Sequence, residues 1–342
     1  MSEMQKLKVG QVGVGGFGGY RRRSLRETGL FDLVAVSDYN PETLAQAAAE
    51  EGAQAVASYE ELLAVPDLEA IIISTGAKFH ADQVIQAAER GLHVFVEKPL
   101  CSTPEEMRTL LQVEKETGVV IGVGHNDHSA DGASMTIKQK LDSGELGKLA
   151  CFETNTAHNG GMLMKPTDWR ADPEKNPGGM LFQCGVHSLH ELMFFFGPVT
   201  EVSAMMRYDV HTSATADVAL CHLKFASGLV GTLNAYHVTP YRHVLAIYGT
   251  AANLYKECFF FDEGTKLWQQ TTHFDGKQEP HVPVEILPAV CDHGNLRSFF
   301  SAIREGTPMY PSLQDGARTV AVVFAAQASA QQGCCAMPVE VV

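Results

Sequence analysis

Residues 70–75, Ala-Ile-Ile-Ile-Ser-Thr, form a run rich in β-branched side chains. A strand that is apolar on both faces belongs in a parallel sheet, with helices covering both sides. Similar runs recur at 8–14, 31–38, 93–97 and 119–123, with a shorter one at 55–58. Segments that read as helices lie between them, at 19–28, 41–51, 59–64, 79–91 and 103–118. Thr103 and Glu106 stand at capping-box spacing, and glycines at 91 and 118 close their helices. Strands alternating with helices predict a doubly wound α/β domain over residues 1–125. At 342 residues the chain is long for one core, so a second domain is expected over 126–342.

The first strand runs into Gly13-x-Gly15-x-x-Gly18, with Gly16 and Phe17 between, and a helix follows. Glycines at this spacing permit a tight turn and let backbone N–H groups approach a pyrophosphate at the helix N-terminus. The second strand ends in Asp38, whose carboxylate can accept both ribose hydroxyls of an adenine dinucleotide. It would repel a 2'-phosphate, and Tyr39 and Asn40 supply no cation, so NAD is expected rather than NADP. Arg22 or Arg23 would be the side chain able to swing toward a phosphate. Ligands of such sheets lie beyond the C-terminal strand ends, where Gly13–Gly18, Asp38, Thr75, Glu97, Lys98, His125 and Asn126 fall.

At the end of the 93–97 run, Glu97, Lys98 and Pro99 break an apolar strand with two charges and a residue that cannot donate to the ladder. A surface ion pair would also read this way. A lysine at such a strand end suits proton transfer, because desolvation favours its neutral form.

The net charge of -14 excludes a nucleic-acid footprint, and the only basic run is Arg21-Arg22-Arg23. That run reads as a solvated helix face or a phosphate neighbour. The eight cysteines are scattered without a Cys-x-x-Cys pair, which suggests free thiols in a reducing compartment. No signal segment or membrane span is read, so a cytoplasmic location is expected.

Together, Gly13, Gly15, Gly18, Asp38, His80 and the sequence from His93 to Pro99 resemble the glucose-fructose oxidoreductase / inositol dehydrogenase / rhizopine catabolism (GFO/IDH/MocA) family. Asp168-Trp169-Arg170 and the segment from Gly178 to His187 resemble its second-domain signatures. The resemblance implies an α+β second domain with a large, mostly antiparallel sheet. Strands are expected at 199–208, 215–225, 229–237, 243–248 and 252–260, with helices at 179–196, 294–305 and 313–331. The helix at 294–305 is expected to return to the first domain. The resemblance also implies a homodimer or homotetramer formed through that sheet.

It further implies hydride transfer between NAD and a secondary alcohol or ketone of a sugar, polyol or glycoside. Lys98 and His187 become the catalytic candidates, with Lys98 preferred for the proton. Glu97 would place the nicotinamide ribose or tune Lys98. Thr75, His80, Asn126, Trp169 and Arg170 join the cofactor set. His128, Gln183 and His190 are at most substrate contacts, since the family more often has an arginine at the first position and aspartates at the other two. The histidines at 125, 128, 158, 187 and 190 could converge on a metal. Their spacing is not the i, i+4 pair of the commonest helical zinc site, and no metal is expected. Net hydrolysis or epimerisation through a transient keto sugar is the alternative reading. A dinucleotide-bound sensor is the third, and Lys98 argues against it.

Overall fold

A computed structural model describes residues 5–211, 214–259, 264–272, 277 and 279–341. The chain forms two units, one of residues 1–127 and 292–317, the other of residues 128–291 and 318–342. In the first unit strands and helices alternate: β1 (Leu7–Val12), α1 (Phe17–Thr28), β2 (Phe31–Ser37), α2 (Pro41–Glu51), β3 (Gln54–Val56), α3 (Tyr59–Leu63), β4 (Ala70–Ile73), α4 (Ala77–Ala88), β5 (His93–Val96), α5 (Pro104–Thr117) and β6 (Ile121–Val123). The sheet order is β3-β2-β1-β4-β5-β6, with every pair parallel. This is the doubly wound arrangement, and its order reverses between β1 and β4. The capping box of α5 forms as its sequence predicts, with Thr103 accepting from the Glu106 amide.

The second unit contains α6 (Gly132–Asp142), β7 (Leu149–Ala157), α7 (Val186–Phe196), β8 (Val199–Arg207), β9 (Val218–Phe225), β10 (Val230–Tyr236), β11 (Arg242–Gly249), β12 (Ala252–Phe259), β13 (Gly264–Thr271) and β14 (Val282–Val284). The helix α8 (Gly294–Glu305) lies in the first unit, α9 (Leu313–Gln331) begins there and continues in the second, and β15 (Met337–Pro338) ends the fold. The nine strands run β14-β13-β12-β11-β7-β10-β9-β8-β15. All neighbours are antiparallel except β7 and β10.

The first unit's core forms where α8 lays its apolar stripe on one face of the sheet. Phe299 meets Phe95 with ring centroids 5.6 Å apart, and Phe300 meets Phe31 at 6.0 Å, both edge to face. Each buried phenylalanine contributes roughly 1.5–3 kcal/mol of apolar transfer. In the second unit the alternating burial of β9 puts Ala219, Cys221, Leu223 and Phe225 on the covered face. There Phe152 stacks on Phe196 of α7 at 5.3 Å and meets Phe225 edge to face.

Two parts of the second unit differ from expectation. The helix expected over 179–196 starts with a π-helical turn at Leu181–Gly185 and becomes α-helical only at Val186. Gly178 and Gly179 have positive φ values of 76° and 56°, and a Cβ on Gly179 would lie 2.1 Å from the Ala216 carbonyl oxygen. Gln183 and His187 are therefore related through a π-to-α junction, not along one uniform helix. The strands β13, β14 and β15 were not foreseen. β13 carries the polar Lys266, Gln269 and Gln270, for which no strand was expected, and pairs antiparallel with β12. Residue 260, expected to end a strand, lies outside the described residues.

Candidate active site

The glycine loop follows β1, and close contacts account for Gly13 and Gly18. Gly13 has φ +77°, and a Cβ there would sit 2.7 Å from the Ser74 carbonyl oxygen. A Cβ on Gly18 would sit 2.1 Å from the Gly13 carbonyl oxygen. The loop is closed by the Gly18 amide donating to the Gly15 carbonyl at 2.8 Å. Beneath it, the fully buried Gln11 donates from Nε2 to the carbonyls of Gly13 (3.1 Å) and Gly18 (3.0 Å). Sequence reading missed Gln11, although a lone amide in an apolar strand was the available signal.

Asp38 accepts from the Val14 amide at 2.8 Å and the Asn40 amide at 2.9 Å, one bond to each carboxylate oxygen. This fixes the carboxylate beside the glycine loop while leaving acceptor capacity on both oxygens. A glycine turn in which a Cβ on Gly13 or Gly18 would strike backbone, opening on the N-terminus of α1 and flanked by a fixed carboxylate, fits the pyrophosphate and adenosine ribose of NAD. Phe17 is 54% exposed at the start of α1.

The arginine run does not form a solvated face. Arg21 and Arg22 are buried, at 3% and 8% exposure. Arg22 pairs with Glu50 and Glu51, each at 2.9 Å. Arg21 donates through Nε and Nη2 to Oε1 of Glu97, at 2.8 and 2.7 Å, and its guanidinium lies 4.7 Å from the Phe95 ring centroid. Glu97 thus points into the unit, and a Cβ on Gly124 would come within 2.5 Å of its Oε2. Lys98, the next residue, is half-buried. It leaves β5 two strands from the glycine loop, a separation of about 10 Å at ordinary strand spacing.

His80 joins two of these strand ends. Its Nδ1 lies 2.8 Å from the Pro99 carbonyl oxygen and its Nε2 lies 3.0 Å from that of Thr75. Burial pushes its pKa down, and the two carbonyls oppose that shift. The Thr75 hydroxyl donates to Gln83 at 2.6 Å. The carbonyl of the buried His125 accepts from Asn295 at 2.8 Å, and Asn126 is exposed.

In the second unit Gln183, Cys184 and His187 are half-buried, whereas His128 and His190 are 5% and 3% exposed. The rings of His128 and His190 lie 5.2 Å apart, and His128 Nδ1 meets the Ser134 hydroxyl at 2.9 Å. Burial pushes the His128 pKa down to about 3. His158 takes the Gly160 amide on Nδ1 at 2.8 Å, so its Nε2 carries the proton and faces Cys184 Sγ at 3.5 Å. Trp169 stacks with Arg170, which also contacts Asp168 at 3.5 Å. Among the described residues, no group of three or more His, Cys, Asp or Glu side chains is arranged to hold a metal ion.

A glycine cradle on a doubly wound sheet, with a carboxylate at the second strand end, defines an NAD-binding Rossmann unit. Comparison with known proteins gives the family. Residues 7–125 match "Oxidoreductase family, NAD-binding Rossmann fold", and residues 134–255 match "GFO/IDH/MocA C-terminal domain". The chain belongs to the GFO/IDH/MocA oxidoreductase family. It is 30% identical over 288 residues to the scyllo-inositol 2-dehydrogenase (NAD(+)) of Bacillus subtilis (strain 168), covering 82% of this chain and 80% of that one. It is also 30% identical over 259 residues to the 2,7-anhydro-N-acetylneuraminate hydratase of Mediterraneibacter gnavus, covering 72% and 66%. A solved levoglucosan dehydrogenase in complex with NADH shares the fold, with TM-score 0.86, 22% identity, and coverage of 99% and 100%.

Proposed function

We propose that this NAD-dependent oxidoreductase oxidises a secondary alcohol of a cyclic polyol or sugar, and reduces the ketone in reverse. The carrying observation is Lys98, which stands at a strand end of the same row that holds the glycine cradle and Asp38. Its amine takes the hydroxyl proton as the carbinol hydrogen leaves as hydride. NAD held by the cradle supplies the hydride acceptor. Glu97, locked to Arg21, holds the strand end that presents Lys98, and His80 holds the Pro99 carbonyl behind it. Asn126, Trp169 and Arg170 are assigned to the cofactor. Half-buried His187 and Gln183 are assigned to the substrate, with buried His128 and His190 supporting α7. Inositol and levoglucosan dehydrogenases among the relatives support the substrate class.

A second reading has support from the hydratase relative: a transient oxidation that ends in elimination or hydration, without net NADH. Incubating the protein with NAD+ and a panel of inositols, anhydrosugars and aryl glycosides separates the two. Stoichiometric NADH supports the first reading, and product release without NADH supports the second. If no member of the panel reacts either way, the polyol and sugar assignment fails.

The open face of the nine-stranded sheet carries Met205 and Leu220, paired across β8 and β9, and farther along it Val230 of β10, at 63%, 43% and 49% exposure. We infer a homodimer or homotetramer through this face, tested by light scattering of the wild type and of Leu220→Glu. All eight cysteines are free, which supports a cytoplasmic setting. Among the described residues no helix is long and apolar enough to cross a membrane.

A further inference from the structure

Helix α7 carries His187, and one turn later it carries Glu191, a carboxylate at 3% exposure. Glu191 pairs with Lys256 of β12, which is 8% exposed. Burial opposes the charged form of both. The attraction of Lys256 still holds the Glu191 carboxyl down at about 2, and Glu191 holds the Lys256 ammonium above its usual range. Other titratable groups face the pair. His128 and His243 are kept neutral by burial, and Cys258 stands beside Lys256 with its thiol pushed up by burial. Asp131, at the N-cap of α6, adds a weaker negative field. The cluster therefore holds one full positive and one full negative charge, fixed between a helix and a sheet.

A buried ion pair is a poor source of stability, because desolvating both ions offsets most of their attraction. It is effective at selecting one arrangement, since any rotation of α7 that parts the ions leaves two charges buried and unpaired. Leu189 and Leu192 of the same helix are buried too, but apolar burial is non-directional and does not by itself select one rotation as the ion pair does.

We propose that Glu191 and Lys256 are positioning residues. They lock the rotation of α7 on β12 and so fix where the His187 imidazole points. The proposal rests on the reading that His187 serves the substrate, and its test is built to fail separately from that reading. The first readout needs no substrate. In histidine-labelled protein, the His187 ring resonance, assigned with His187→Gln, is expected to be single and sharp in the wild type. In Glu191→Gln it should split or broaden, and the unfolding temperature should fall.

The double variant Glu191→Gln/Lys256→Met removes the stranded ammonium. It should regain the unfolding temperature without restoring the resonance. With myo-inositol, scyllo-inositol and levoglucosan as probes, kcat should fall about tenfold in the double variant while NADH affinity stays unchanged. A single, unshifted His187 resonance in Glu191→Gln overturns the proposal. So does a double variant that regains stability and resonance together, which is the behaviour of a merely structural pair. If His187→Ala keeps full turnover, the substrate role of His187 fails, and the resonance result still decides the positioning claim.

Discussion

Gly18→Ala is expected to cost this protein its cofactor. The new methyl carbon would stand 2.1 Å from the Gly13 carbonyl oxygen, 2.9 Å from the Gly13 carbonyl carbon and 3.2 Å from Gln11 Nε2. Ordinary contact needs well over 3 Å, so the start of α1 must move away from the loop by roughly an ångström, about the scale at which oriented contacts are lost. That movement breaks the pair of Gln11 bonds that hold the loop at 3.1 and 3.0 Å. It also turns the loop and helix amides away from the pyrophosphate. Each hydrogen bond to a charged group is worth about 1.5–3 kcal/mol. Losing one weakens NADH binding about 10- to 100-fold, and losing two weakens it further. The assay is a titration of NADH fluorescence, with thermal unfolding recorded alongside. Gly29→Ala is the control. It sits in a left-handed conformation, φ +70°, with no neighbouring atom within 4 Å, so a methyl there should lower stability through backbone strain without altering NADH affinity. If Gly18→Ala binds NADH within twofold of the wild type, the cradle is not where the pyrophosphate lies.

Other outcomes follow from the charges. Asp38→Ala should weaken NADH and narrow its advantage over NADPH about tenfold, read from paired titrations; an unchanged ratio would remove Asp38 from the ribose. His128, His80 and His243 are all kept neutral by burial, with His128 at about 3. The unfolded chain binds these protons first as pH falls below about 6.5, so stability should drop, with His128 alone contributing up to about 1.4 kcal/mol per pH unit. Urea unfolding at pH 7, 6 and 5 tests this, and a flat profile refutes it. Glu114, near the C-terminal end of α5, runs the other way. Burial raises its carboxyl to about 7, so its protonated form favours the fold and that contribution is lost as pH rises through 7. Glu114→Gln should stabilise the protein by about 1 kcal/mol at pH 8, after allowance for its partial exposure, and by nothing at pH 4.

The sequence revealed the cofactor half of the site far more fully than the rest. The reason is distance along the chain. Gly13 to Gly18, Asp38 and the strand end at Lys98 each announce themselves locally, through a turn that only glycine permits or a charge that ends an apolar strand. The partners that hold them are remote. Arg21 and Glu97 are 76 residues apart, and Glu191 and Lys256 are 65 apart. No local pattern says that the first arginine of a basic run turns inward while the third remains outside. The π-helical turn before His187 was hidden as well. It follows a close approach between Gly179 and Ala216, which a periodic reading of residues 179–196 does not contain. The sheet of the second unit was legible where residues alternate, as in β9, and lost where an edge strand is polar, as in β13.

The central claim is that Lys98 takes the proton as NAD+ accepts hydride. The direct measurement compares NADH formation by the wild type and Lys98→Ala on the best substrate of the panel, with NADH affinity measured on both. The account predicts that kcat falls by about 10²–10⁴-fold, the usual worth of a general base, while NADH binds both proteins with similar affinity. Turnover by Lys98→Ala within a few-fold of the wild type would contradict it.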